Sequence, residues 1–169
     1  MNVCLESKIV QCFSIIHCNR YFKPHENIYR NNLTRYRSFA KINLFLDITG
    51  VSGSLHTLNM VMQSVSLYDE LTFEPLLENR VEIVCDDAVL KNNNIMEKAY
   101  HETQRIFPQI RHGFRVKLKK NIPMGAGLAG GRGNAAATVH YLLKDHNIKP
   151  KQQALRQLLL SIGSVVSFC

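Results

Sequence analysis

A chain of 169 residues with 46% hydrophobic content can form one sizeable core, either a single globular domain or part of a larger one. No run of 18 apolar residues occurs, which argues against a membrane-spanning helix and against a membrane partner. The net charge of +8 raises a polyanion as partner, but half of the excess lies before Phe39, where six bases face two acids.

The first segment stands apart. A short apolar stretch, IVQCFSIIHC, precedes a tract rich in asparagine and base and poor in acid that lacks helical or strand periodicity. Residues 1–38 therefore read as a leader outside the fold and 39–169 as the folded domain. The two-part layout resembles the targeting sequences of proteins sent to a plastid through the secretory route, as for an apicoplast; the alternatives are an untargeted extension and a cytoplasmic protein. The five cysteines (Cys4, Cys12, Cys18, Cys85 and Cys169) contain no CxxC pair, and His17 beside Cys18 lacks further zinc ligands, so they read as reduced thiols.

From Phe39 the pattern sharpens. In AKINLFLDITG, Ile42, Leu44, Leu46 and Ile48 alternate with Lys41, Asn43, Phe45 and Asp47, the period of a half-buried strand, which puts Lys41 and Asn43 on one face. The same period recurs in MVMQSVSLYDELTFEP, in RVEIVCD, and in GFRVKLKK, where Phe114, Val116 and Leu118 face Arg115, Lys117 and Lys119. Ile95, Ala99, Thr103 and Ile106 predict a helix over 94–107. Leu155, Leu158, Leu159 and Ile162 predict another from near Pro150, stopped by Gly163.

Between the last strand and that final helix lies NIPMGAGLAGGRGNAAATVHYLL, a glycine-rich run predicted to be a loop over 123–134 that opens into a helix near Asn134. Gly125, Gly127 and Gly130 satisfy GxGxxG, yet the preceding strand carries Arg115, Lys117 and Lys119 where a doubly wound strand would be apolar. No acid follows about 20 residues on, the spacing at which a ribose would be held. The lysine and hydroxyl of GxxxxGK[ST] are also missing. What remains is backbone N–H groups and a helix N-terminus suited to phosphate.

A wet strand leading through Ile-Pro into this loop closely resembles the phosphate loop of the GHMP small-molecule kinases. With AKINLFLDITG, LHTLNMVMQSVSLYDELTFEP and NNIMEKA in the family's order, the likeness covers about 39–169. It implies an α+β fold, the ribosomal-protein-S5-domain-2-like N-terminal half of a GHMP kinase, with the family's C-terminal domain missing from this sequence. It also implies ATP and Mg2+ as cofactors. The branch it resembles phosphorylates a small molecule, 4-diphosphocytidyl-2-C-methyl-D-erythritol, at its 2-hydroxyl in the non-mevalonate isoprenoid pathway.

Residue by residue, the resemblance puts Lys41 beside the transferred phosphoryl group and Asn43 and His56 at the substrate. It puts Asn94, Pro123, Gly125, Gly127, Gly130, Gly131, Arg132, Gly133 and Asn134 around ATP. The departures are specific. Leu55 replaces the aromatic residue before His56, Arg132 and Gly133 stand where the family has two serines, and Val165 in GSVVS takes the place of the catalytic aspartate. A valine takes no proton, and loss of a general base costs about 10²- to 10⁴-fold in rate. The readings are a partial or impaired kinase, a non-catalytic nucleotide-binding remnant, or a basic RNA-binding module. Few aromatics interleave with bases outside the leader, so nucleic acid is disfavoured. The sequence leaves the oligomeric state open.

Overall fold

The computed structural model describes residues 33–52, 55–86 and 94–163. Two long strands, β1 (Thr34–Ser52) and β2 (Leu55–Pro75), pair antiparallel. β3 (Val81–Val84), α1 (Ile95–Ile106) and β4 (Phe114–Lys119) then form a parallel crossover, with β4 antiparallel to β2 on its other side. The sheet order is β1-β2-β4-β3, followed in the chain by α2 (Gly130–Asp145) and α3 (Gln152–Ile162).

The period of two decides which sheet face is covered. Phe114, Val116 and Leu118 are buried, as are Leu71 and Phe73 of β2 and Tyr36 of β1. Phe73 stacks on Tyr141 of α2 at 4.4 Å and meets Phe114 edge-on at 5.2 Å, contacts that add about 0.5–1.5 kcal/mol each beyond area burial. A second cluster joins the helices through Ala99, Ala135, Val139, Leu158 and Ile162. Asn94 caps α1 by accepting from the Met96 N–H at 3.0 Å, and Lys98 Nζ donates to the Ile162 carbonyl at 2.9 Å where α3 ends. This is the α+β domain that the sequence periods predict, and α1 and α3 fall where the apolar spacing puts them.

The structure corrects three expectations. β1 begins at Thr34, inside the segment assigned to the leader, because Tyr36 and Ser38 carry the inward parity and are 2% and 1% exposed. Ile42, Leu44, Leu46 and Ile48 do not form a buried face; all four are exposed. Of β2, β4 pairs with Glu70–Pro75, so beyond Lys41 the β1–β2 pair runs on as a two-stranded ribbon with no layer over it among the described residues, and register shifts between Phe39 and Lys41 and between Asn43 and Phe45 break the alternation.

The third correction is the start of α2, which lies at Gly130, four residues before Asn134. Gly130, Gly131, Arg132 and Gly133 are the first turn of the helix and not loop. Glycine's poor helix propensity is overridden here by close packing. A Cβ on Gly130 would stand 2.9 Å from Ile122 and the Lys120 amine, and one on Gly133 would stand 2.4 Å from Ser38 Oγ.

Candidate phosphate-binding site

After β4 the chain drops Ile122 into the core, fully buried, and Pro123 to Gly127 then arch out to the surface. Gly125 and Gly127 have φ of +71° and +72°, a region that side chains with a Cβ enter at a cost, so both turns favour glycine. Ala129 has φ of 61° and precedes α2 without any side-chain cap. The first helical hydrogen bond runs from the Gly133 N–H to the Ala129 carbonyl at 2.9 Å, which leaves the N–H groups of Gly130, Gly131 and Arg132 without a helical acceptor. These donors and the positive end of the helix dipole are what an anion needs.

The loop is held from two sides. The Lys41 N–H donates to the Leu128 carbonyl at 3.1 Å, and Lys41 Nζ reaches Asn43 Oδ1 at 3.0 Å. Lys41, Asn43 and the phosphate loop therefore share one region, as the shared strand face predicts. On the other side stands Asp69, 0% exposed, which no sequence argument above singled out. Its carboxylate accepts from the N–H groups of Asn121 at 2.9 Å and Ile122 at 2.8 Å, from Lys120 Nζ at 2.6 Å and from Asn134 Nδ2 at 2.9 Å. The available signal was parity: Asp69 falls on the inward register shared by Leu71 and Phe73.

The remaining assignments separate. Asn134 is 2% exposed and bonded to Asp69, so its amide fixes the loop from beneath. Asn94 uses its carbonyl oxygen to cap α1, whose first turn lies against that of α2: a Cβ on Gly131 would meet Ile95 at 3.7 Å. Arg132 is exposed on the first turn of α2, and no carboxylate pairs with it among the described residues. Three of the bases leading into the loop are taken up by acids: Arg115 pairs with Glu82 at 2.7 Å and Glu74 at 3.1 Å, Lys119 with Glu70 at 3.2 Å, and Lys120 with Asp69. The Arg115 hydrogen bond holds the Glu82 carboxyl below its usual range.

His56 is not brought to the loop. It pairs with Val51 near the far end of the ribbon, eight positions beyond Ser64, the partner of Lys41, or roughly 26 Å along the strand. The His56 side chain lies outside the described residues, as does Val165.

The packing of Gly133 yields a stability prediction. Gly133→Ser, the residue type found there in the kinases this loop resembles, is expected to destabilise the fold by about 1–3 kcal/mol through overpacking against Ser38. Ser38 Oγ is buried without a partner, so Ser38→Ala should be neutral or stabilising and should relieve most of the Gly133→Ser loss. Urea melts of both single variants and the double variant measure the coupling; a neutral Gly133→Ser contradicts the account.

Comparison with known proteins agrees with this geometry. Residues 94–167 match the GHMP kinases N terminal domain. The chain is 34% identical over 138 residues to the 4-diphosphocytidyl-2-C-methyl-D-erythritol kinase of Clostridium perfringens (strain 13 / Type A), covering 80% of this chain and 48% of that protein. It is 37% identical over 151 residues to a kinase of the same name from Prochlorococcus marinus, covering 85% and 47%. A crystal structure of 4-(cytidine 5'-diphospho)-2C-methyl-D-erythritol kinase superposes with a TM-score of 0.63 at 26% identity, over 79% of this chain and 47% of that one. A homoserine kinase from Cytophaga hutchinsonii shares the fold at 16% identity, TM-score 0.54, over 82% and 42%.

Fold, loop and matches make the chain similar to the GHMP kinases, whose N terminal domain its residues 94–167 match. Within that class, the chain is similar to the 4-diphosphocytidyl-2-C-methyl-D-erythritol kinases and spans about half the length of the curated relatives it matches.

Proposed function

We propose that this chain binds ATP through the loop from Gly125 and the first turn of α2, and serves the ATP-dependent phosphorylation of 4-diphosphocytidyl-2-C-methyl-D-erythritol at its 2-hydroxyl, a step of isoprenoid synthesis. The observation that carries the ATP site is the uncapped entry to α2, where the N–H groups of Gly130, Gly131 and Arg132 lack helical acceptors beside Lys41. These donors hold phosphate oxygens, Arg132 adds its guanidinium, and Lys41 neutralises charge toward the acceptor. Mg2+ supplies charge neutralisation when bound. Among the described residues of the loop no free carboxylate or hydroxyl offers it a ligand, since Asp69 is buried and committed, so the ion is proposed to be carried on ATP. Localisation to a plastid belongs to the same proposal, and a reporter fused after residue 38 checks it.

Val165 at the aspartate position makes transfer slow. The purified chain is expected to bind ATP in a calorimetric titration and to move labelled γ-phosphate to the substrate far below the roughly 10 s⁻¹ typical of enzymes. Failure to bind ATP overturns the site. Turnover near that rate overturns the assignment of an impaired centre.

A further inference from the structure

At the opposite end of α2, a second group of side chains converges. His112, two residues before β4, Asp145, the last residue of α2, and His146, its C-cap, each place one ligand atom within 4.8 Å of the others. His112 Nε2 lies 3.7 Å from Asp145 Oδ2, and the two imidazoles stack at 4.1 Å.

The backbone sets the tautomers. His146 Nδ1 is 3.1 Å from the Leu142 carbonyl and His112 Nδ1 is 3.4 Å from the Gly113 carbonyl. A carbonyl oxygen only accepts, so a neutral ring that donates to it from Nδ1 keeps a lone pair on Nε2, the arrangement in which metal-binding histidines are held; His146 Nδ1 also lies 3.9 Å from Asp145 Oδ2. The His146 side chain is 8% exposed, and its Nε2 is buried with no hydrogen-bond partner. The His112 lone pair faces a carboxylate oxygen, acceptor against acceptor. One proton satisfies one such contact; one divalent cation satisfies all three donors. The helix C-terminus adds the negative end of its dipole.

We propose that His112, Asp145 and His146 form a transition-metal site, with Zn2+ as the cation that fits two imidazole nitrogens, one carboxylate oxygen and a water. Mg2+ and Ca2+ prefer all-oxygen sets. Zinc bonds of about 2.0–2.2 Å in tetrahedral geometry require the donors to close by about 1 Å, and His112, on a connecting segment with a side chain 35% exposed, has room to do so. Bound there, zinc clips the α1–β4 connection to the end of α2. The length of α2 puts that clip roughly 22 Å from the phosphate loop, so it is distinct from any ion carried on ATP.

The test uses the full chain stripped with a chelator. Zn2+ is expected to bind once per chain in a calorimetric titration and to raise the melting temperature, while Mg2+ at the same concentration does not. Co2+ in its place is expected to give the visible absorption of a tetrahedral site. His112→Ala should abolish all three responses and leave the metal-free melting temperature close to that of the parent. Asp145→Asn should weaken Zn2+ by at least about tenfold, since a neutral amide is a poor ligand, and it decides the matter if His112→Ala fails to fold. Absence of binding in the parent chain overturns the proposal. So does binding that persists unchanged in the variants, which would transfer the metal to the cysteines and histidines before residue 33.

Discussion

Asp69→Ala is expected to lower stability by about 3–5 kcal/mol, a large part of the 5–15 kcal/mol that holds a domain of this size folded. Four donors converge on that carboxylate, two of them backbone N–H groups of the segment entering the phosphate loop, and Lys120 Nζ sits 2.6 Å away. Removing the acid leaves a lysine whose side chain is 16% exposed without its counter-ion and strands the buried N–H of Ile122. Asp69→Asn should recover part of the loss, because the amide oxygen can still accept from backbone while the Lys120 charge stays uncompensated. Denaturant midpoints of the two variants check the order parent, asparagine, alanine. An alanine variant within about 1 kcal/mol of the parent would mean that the loop is supported by something other than this carboxylate.

Arg132→Glu is expected to move stability and binding in opposite directions. An acid in the first turn of a helix interacts well with the dipole, and the first turn of α2 carries no acid of its own, so the fold should hold or gain about 0.3–1 kcal/mol. The same substitution replaces a guanidinium by a negative charge at the mouth of the loop. Against a triphosphate, that change of two charges is expected to weaken ATP by about 10- to 100-fold, or about 1.4–2.8 kcal/mol. Paired melting and calorimetric titrations separate the two effects. Unchanged ATP affinity would place the phosphates elsewhere.

Much of this was legible in the sequence, for identifiable reasons. α1 and α3 carry apolar positions at helical spacing next to clear caps, so 94–107 and the Gly163 stop read directly, and β4 alternates without interruption. The phosphate loop showed itself through glycine spacing and motif order. The start of α2 did not, because the contacts that make helical glycines favourable come from Ser38 and Ile122, distant in sequence. The ribbon beyond Lys41 was misread because alternation reports which residues share a face but not whether anything covers it. Asp69 was overlooked because a carboxylate between strand residues looks solvated unless its parity is weighed against Leu71 and Phe73.

The Asp69 network also bears on how the chain is made. Its partners lie 51 to 65 residues further along, whereas the β1–β2 pairing joins neighbours in sequence. At roughly 5–20 residues per second, a ribosome needs roughly 3–13 s to travel from Asp69 to Asn134. For that interval the nascent chain can hold a complete ribbon with an unpartnered carboxylate at one end and the exposed side chains of Leu44, Leu46 and Ile48 along its length. A ribbon in that state is what chaperones bind, and its open edges expose the nascent chain to aggregation for as long as the interval lasts.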